Sequence, residues 1–407
     1  MSKYSSQTPT PTLAHTYDDK QYSTTELLTR PFDDQLEFDE NGKITSETKF
    51  KIKSSAFNIQ SSKFIGEGGD KFETMLFLPG TEGRKGEGGL RTEGYFKHSY
   101  VKRECERESE RPNTVTDTNT NTNTNANTSH LTSNNNSWYI TDSDNKPIKP
   151  APPEIQQKIN QYTTNQSTIN QLPLISIITV VFNGEEYLEE TILSVINQTY
   201  PNVEYIIIDG GSTDGTVDII KKYEHAIDYW VSEPDKGIYD AMNKGIKLLT
   251  GEWVNFMNAG DKLLYLDHLS LVNCKTTNTC YYVKETEKLK KKESLTKLYL
   301  THNTPCHQSV FYLRKELELY DLNYPIIADF EQMTRVCSKS FKPVYTKHLI
   351  FSAEAGFSYE NTKDKSWKNL KARNYIVKKN MGLFYFTLAL LHSLRIKFKK
   401  ILSNLWD

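Results

Sequence analysis

Ile175 to Val181 is a nearly unbroken β-branched run, and a strand of that composition is stable only where both of its faces are covered, as in the middle of a parallel sheet. The element recurs. Tyr205 to Ile208 is a second buried run ending at Asp209, a third strand is expected near Ala226 to Val231, and Trp253 to Met257 is a fourth. Helical periodicity fills the gaps: Leu188, Ile192, Val195 and Ile196 share one helix face, as do Ile238, Ala241, Met242, Ile246 and Leu249. Between them GGSTDG supplies glycines for a tight loop and capping residues for a helix from about Thr216. Strands alternating with amphipathic helices require right-handed crossovers, so the fold class is α/β with a mostly parallel sheet flanked by helices.

That pattern begins only at residue 173. A chain of 407 residues exceeds what one core usually serves, and 37% hydrophobic content is low for a chain ordered throughout. Residues 114–136 are almost pure Thr and Asn, a composition that buries too little apolar surface to offset the entropy of ordering it. The expected organisation is a disordered tail over 1–30, a small β-rich accessory module over 31–105, a low-complexity disordered linker over 106–172, the α/β domain over 173–360, and a basic amphipathic helical segment over 361–407. Within the module, a hairpin is expected at Leu36 to Thr45 with Asn41-Gly42 at its turn, followed by strand-like runs at 49–53 and 75–78. The two GEGG tetrapeptides, at 66–69 and 86–89, lack the spacing of a phosphate loop and read as flexible turns.

Several function classes fall away. Fifty Lys+Arg against 51 Asp+Glu leave a net charge of −1, so no global field favours nucleic acid. Five cysteines without a CxxC pair argue against a disulfide framework or zinc knuckle and fit a reducing, cytoplasmic compartment. The N-terminus has no apolar leader, and no stretch reaches the ~18 apolar residues of a spanning helix. The segment after the first strand, FNGEEY, has one glycine where a dinucleotide fingerprint needs three, and no phosphate-loop motif occurs anywhere.

Ligands of open α/β sheets bind beyond the carboxyl ends of the strands, where Asn183, Asp209 and Asp261 stand. The ordered motifs SIITVVFNGEEYLEETILSVINQTYPNVEYIIIDGGSTDGT, SEPDKGIYDAMNKGI and GEWVNFMNAGD resemble the inverting family 2 glycosyltransferases, of the WcaA-like bacterial surface-polysaccharide type. The likeness is continuous over 174–262 and fades towards 335 through HQSVFY and IIADFE. It implies a GT-A nucleotide-sugar-binding fold, a nucleoside-diphosphate sugar donor (a UDP-sugar favoured), a glycan or lipid-linked glycan acceptor, and a divalent cation, Mg2+ or Mn2+. On the family's pattern, Thr179, Asn183, Asp209, Asp240 and Asn243 bind the donor, Asp261 the cation, and Asp329 is the general base that deprotonates the acceptor hydroxyl. Gly210 and Gly260 occupy places where the family often has acids, which leaves room for a catalytically silent binding protein of the same fold.

Neighbouring residues keep two readings each. Glu331 is a second acid or a helix-surface charge, His307 lines the pocket or is a satisfied polar residue, and Asp240 binds donor or is solvated. Asp214 reads as a helix cap, Cys306, Trp230 and Trp253 as packing. Residues 362–407 carry eleven Lys/Arg against Asp364 and Asp407, around the apolar stretch Met381 to Leu394. That segment either lies peripherally on the inner face of the cell membrane or packs on the domain.

Overall fold

The computed structural model describes residues 22–29, 72, 74–104, 136–141, 146–163, 170–266, 279–285, 288–289, 296–338, 344–351 and 367–403. Its first elements are β1 (Gly86–Gly88), β2 (Tyr100–Glu104), β3 (Asn136–Thr141), β4 (Pro147–Pro150), α1 (Pro153–Thr163) and β5 (Gln171–Leu172). The central part holds β6 (Ile175–Val181), α2 (Leu188–Ile196), β7 (Val203–Asp209), α3 (Thr216–Lys222), β8 (Tyr229–Ser232), α4 (Ile238–Leu248), β9 (Trp253–Phe256) and β10 (Lys262–Tyr265). There follow β11 (Thr279–Glu285), β12 (Lys288–Leu289), α5 (Lys297–His302), β13 (Val310–Leu313), α6 (Ala328–Ser338), β14 (Val344–Phe351), α7 (Trp367–Met381) and α8 (Leu383–Ser403).

A ten-stranded sheet has the order β1-β8-β7-β6-β9-β13-β11-β14-β10, with β12 paired to β11. Strand β6 is parallel to both β7 and β9, and β7 is parallel to β8. The chain thus winds outward from β6 through β7 to β8, then returns to the other side of β6 as β9. Such a reversal opens a crevice outside the carboxyl ends of β6 and β9. All residues of β6 and β7 are buried, as the β-branched runs require. One face carries α2, α3 and the N-terminal elements; the other carries α4, α6 and α7. Helix α2 buries Leu188, Ile192, Val195 and Ile196 completely, at about 1.5–3 kcal/mol for each large side chain. The α/β expectation holds.

The N-terminal third departs from expectation. Residues 106–172, read as linker, contain β3, β4, α1 and β5, and β2–β5 form an antiparallel sheet ordered β4-β3-β2-β5. Trp138, Ile140, Ile155 and Ile159 of this segment are fully or almost fully buried in the same core as α2. The Thr/Asn tract masked the short apolar alternation that flanks it. Within the expected tail, Tyr22 and Leu27 are buried against that core, and Thr29 bridges Phe96. The second GEGG is strand β1, antiparallel to β8 at the sheet edge. Residues 75–78 form no strand, although Phe77 and Leu78 are buried. The hairpin at 36–45, the run at 49–53, the first GEGG and residues 114–135 lie outside the described residues.

Buried ion pairs fasten this N-terminal segment to the amino ends of the central strands. Arg91 meets Glu204 at 2.5 Å and also donates to the Leu248 carbonyl at 2.8 Å. Lys97 meets Asp228 at 2.7 Å. Burial pushes the Glu204 carboxyl up, but Arg91 and the Ser176 and Thr250 hydroxyls outweigh it and hold the group below its ordinary range. For Asp228 burial wins despite Lys97, and its pKa is raised. These residues make the segment part of the domain.

At the other end of the chain, α7 buries Ile376 and Val377 in the core that holds α6, Gly382 breaks the helix at φ 90°, and α8 turns back with Ala389 and Ser393 inward. Among the described residues no helix is long and apolar enough to cross a membrane.

Candidate functional site

The loops after β6, β7 and β8 meet at the crevice. Asn183 takes a left-handed φ of 49°, and its Oδ1 accepts from the Thr213 backbone at 2.9 Å while its own N–H donates to Ser212 Oγ at 2.7 Å. Its side chain therefore ties two loops together. Asp209 is fully buried, and its carboxylate accepts from the N–H groups of Gly211 (3.2 Å) and Ser212 (3.0 Å), from the Ser232 hydroxyl (2.5 Å) and from the Ser212 hydroxyl. Four donors hold this one carboxylate in place. Three of them converge on Oδ2 and one on Oδ1, so the nucleoside contact expected from the family's pattern would fall to the second lone pair of Oδ1.

The acid that does face the crevice is Asp235, a residue the sequence reading passed over. A Cβ placed on Gly210 would lie 2.6 Å from its Oδ2, so Asp235 fills the space that an acid at 210 would need. Its pKa is raised, chiefly by burial, with Asp240 and Asp209 adding repulsion against the opposing Gly237 N–H and Lys244. Asp240, in the first turn of α4, accepts from the Lys236 N–H at 3.0 Å and is half-buried. Phe182, 65% exposed, stands at the tip of β6 beside Gly210. Asn243 faces away: it exchanges bonds of 3.0 and 2.7 Å with the Tyr320 backbone. Thr179 is fully buried with its hydroxyl 3.0 Å from that of Tyr205. Both side chains are turned into the fold and away from the crevice.

On the β9 side, Asn258 to Asp261 form a turn closed by an Asp261 N–H to Asn258 carbonyl bond of 3.0 Å, with Gly260 at φ 96°. That left-handed position favours glycine and explains the missing acid at 260. The Asp261 carboxylate, 4% exposed, accepts from Gln308 Nε2 at 2.6 Å. Next to Gln308, His307 Nε2 lies 3.2 Å from Asn258 Nδ2, while His307 Nδ1 and Asn258 Oδ1 are buried with no hydrogen-bond partner. Burial lowers the His307 pKa against the pull of Asp329, so the ring is neutral near pH 7; with this amide orientation Nε2 accepts and Nδ1 carries the proton. Buried polar atoms without partners in a crevice point to groups that a ligand supplies.

Among the described residues no three His, Cys, Asp or Glu side chains gather into a metal cage. The residues fit a Mg2+ or Mn2+ ion only in the sparse manner common for such ions, with Asp261 as protein carboxylate and the Asn258 Oδ1 on the same turn, the remaining ligands coming from phosphate and water.

Asp329 opens α6 and is half-buried. The Tyr239 hydroxyl lies 3.0 Å from both its Oδ1 and the Ile326 carbonyl. Burial, reinforced by the Asp329 charge, raises the Tyr239 pKa, so the phenol stays protonated and donates. The same charge reaches His307. His307 precedes Gln308, the donor to Asp261, and Tyr239 precedes Asp240 on α4. Glu331 points elsewhere: 1% exposed, it pairs with Arg335 at 2.8 Å and takes Asn380 Nδ2 at 3.2 Å, which makes it a helix-packing charge. Asp214 caps α3 through Thr216, in line with the simpler reading.

This geometry can be set beside known proteins. The profile of glycosyl transferase family 2 matches residues 176–264. The PGL/p-HBAD biosynthesis glycosyltransferase of Mycobacterium bovis (strain BCG / Pasteur 1173P2) is 30% identical over 198 residues, covering 44% of this chain and 76% of that one. The chain belongs to glycosyl transferase family 2. A glycosyltransferase of Mycobacterium tuberculosis (strain CDC 1551 / Oshkosh) is 43% identical over 91 residues, 22% of this chain, and the match spans only 35% of that relative's length. The crystal structure of S. aureus TarS 1-349 overlays with a TM-score of 0.43 at 15% identity, covering 54% of this chain and 70% of that one.

The family match begins at 176, yet residues before it reach the crevice. Lys85 Nζ donates to the carbonyls of Gly211 (2.9 Å) and Ser212 (2.7 Å), and Arg84 and Thr81 both hold Glu233 Oε2 at 2.6 Å. The loops that carry Asp209 and Asp235 are braced from outside the matched region. No motif marked Lys85 or Arg84, because their partners are backbone carbonyls and an acid about 125–150 residues away.

Proposed function

We propose that this chain is an inverting glycosyltransferase that moves one sugar from a nucleoside-diphosphate donor, a UDP-sugar in the favoured case, to a glycan or lipid-linked glycan acceptor in polysaccharide biosynthesis at the cytoplasmic face of the cell membrane. The observations that support the reading are the Tyr239–Asp329 hydrogen bond, which sets Asp329 beside the first turn of α4 that carries Asp240, and the Gln308–Asp261 bond next to His307, whose ring feels the Asp329 charge.

In this mechanism Asp235, backed by Asp240, accepts hydrogen bonds from the base or ribose, and the exposed ring of Phe182 offers the base a stacking face. Asp209 holds that loop in shape from beneath. The His307 Nδ1 proton takes an acceptor oxygen of the donor's sugar or diphosphate. Asp261 and Asn258 Oδ1 would hold a divalent cation, which would neutralise the charge that develops on the departing diphosphate. Asp329, oriented by Tyr239, removes the acceptor hydroxyl proton as that oxygen attacks the anomeric carbon from the side opposite the leaving group, and the single displacement inverts configuration.

The silent-protein alternative drew on the glycines at 210 and 260. Gly260 has a steric reason in the left-handed turn, and Asp235 stands against Gly210 as a neighbouring acid, so the glycines no longer argue for lost chemistry. A panel of nucleotide sugars tested for binding and hydrolysis, with and without Mn2+, should identify one donor that is turned over, and Asp329→Asn should bind it without turnover. Donor binding with no product from any acceptor, and indifference to Asp329→Asn, would establish the silent protein instead.

A further inference from the structure

We propose that the outward face of α8 is a docking surface for an anionic lipid bilayer, a property that stands independently of the transfer chemistry. Leu383, Phe384, Leu391, Leu394 and Phe398 are 45–69% exposed. Phe384, Leu391 and Phe398 recur every seven residues, with Leu394 between them, so they line one stripe of the helix. The opposite face is anchored: Ala389 and Ser393 are buried, and the Ser393 hydroxyl takes Asn374 Nδ2 of α7 at 3.0 Å. The stripe is thus held outward by the packing behind it. Five large apolar side chains along one exposed stripe are more than scattered surface residues, and contiguous patches of this kind mark interaction sites.

Charge decides the occupant. Helices α7 and α8 together carry nine Lys/Arg and no Asp or Glu, in a chain whose net charge is −1. On the helical projection Arg395 lies on one flank of the stripe and Lys397 on the other, both exposed, and Lys378 is exposed near the turn between the helices. A second copy of this chain seated on the stripe would set Arg395 and Lys397 against their own equivalents. A polyanion such as RNA would engage the cations and leave Leu and Phe in water. A surface with anionic headgroups over an apolar interior satisfies both at once. At 21 residues α8 is about 31 Å long, and because it lacks the hydropathy to cross a bilayer it would lie in the interface plane.

The test is co-sedimentation of the full-length chain with phosphatidylcholine vesicles and with vesicles in which about a third of the lipid is phosphatidylglycerol. The parent should partition onto the anionic vesicles only. The triple variant Phe384→Ser/Leu391→Ser/Phe398→Ser should lose at least about tenfold in partition while keeping its circular dichroism and donor binding. The pair Arg395→Gln/Lys397→Gln should lose severalfold, with the residual binding less sensitive to salt. Undiminished vesicle binding by the triple variant overturns the proposal. So does a parent that ignores vesicles yet self-associates in sedimentation velocity and becomes monomeric on the triple substitution, since a second copy would then cover the stripe. Loss of donor binding would bear on the transferase reading alone.

Discussion

Strand β7 carries an acid near each end, and the two are treated differently. Glu204, near the amino end, is closed in by the Arg91 guanidinium and by hydroxyls, and Asp228 beside it has Lys97. Asp209, at the carboxyl end, has backbone N–H groups and hydroxyls instead, and among the described residues no lysine or arginine lies within ion-pair distance of it, of Asp235, of Asp240 or of Asp329. Charge at the amino end is neutralised inside the fold, so that end serves stability. Negative charge at the carboxyl end is left for something brought by a ligand: a proton, a cation, or donor N–H and hydroxyl groups.

The largest expected effect lies at the carboxyl end. Asp329→Asn should lower kcat about 10²–10⁴-fold, the range of a lost general base, with the melting temperature unchanged; a comparable loss of stability would move Asp329 to the structural side of the comparison. At the amino end, Arg91→Ala should cost about 3–5 kcal/mol in urea denaturation by stranding the Glu204 charge, whereas Arg91→Met with Glu204→Met should recover much of that. Equal losses in both variants would mean that shape and not charge holds this end.

Acid provides a third contrast. The His98 pKa is lowered to about 4, first by burial and then by the Lys149 charge. A histidine depressed when folded contributes its full stability above the unfolded value near 6.5; below it the unfolded chain takes up the proton first, and the contribution is lost as pH falls towards 4. Stability should therefore decline by about 3 kcal/mol between these limits, and His98→Gln should flatten the slope. The smallest effect expected is Asp235→Asn, which should raise the donor Kd about tenfold in calorimetry and leave kcat at saturation nearly unchanged. A fall in kcat with unaltered Kd would place Asp235 with the reacting atoms instead of the nucleoside.

Much of this was legible beforehand because it is local. The buried runs at 175–181 and 205–208, the helix faces at 188–196 and 238–249, and the polar residues that end each strand all follow from periodicity. Asp261 and Asp329 come from motif order alone; Gln308, which donates to Asp261, and Tyr239, which bonds Asp329, are visible only in the structure. Thr179, Asn243 and Asp209 are donor contacts on the family's pattern; the bonds that turn the first two into the fold and fix the third reach Tyr205, the Tyr320 backbone and the Ser212 loop, 26, 77 and 3 residues away, which no local pattern displays. Residues 136–172 were misread because short strands beside a Thr/Asn tract have too little periodicity to register above its composition.

The amino-acid sequence alone determined that a parallel sheet forms and that acids cluster at its carboxyl end, since strand burial and helix amphipathicity are properties of consecutive residues. Tertiary structure decided which acid meets the crevice, that β1 closes the sheet edge, and that Lys85 and Arg84 brace the loops. Those outcomes rest on competition for hydrogen bonds and space between distant segments, and such competition is resolved only when the segments are packed together.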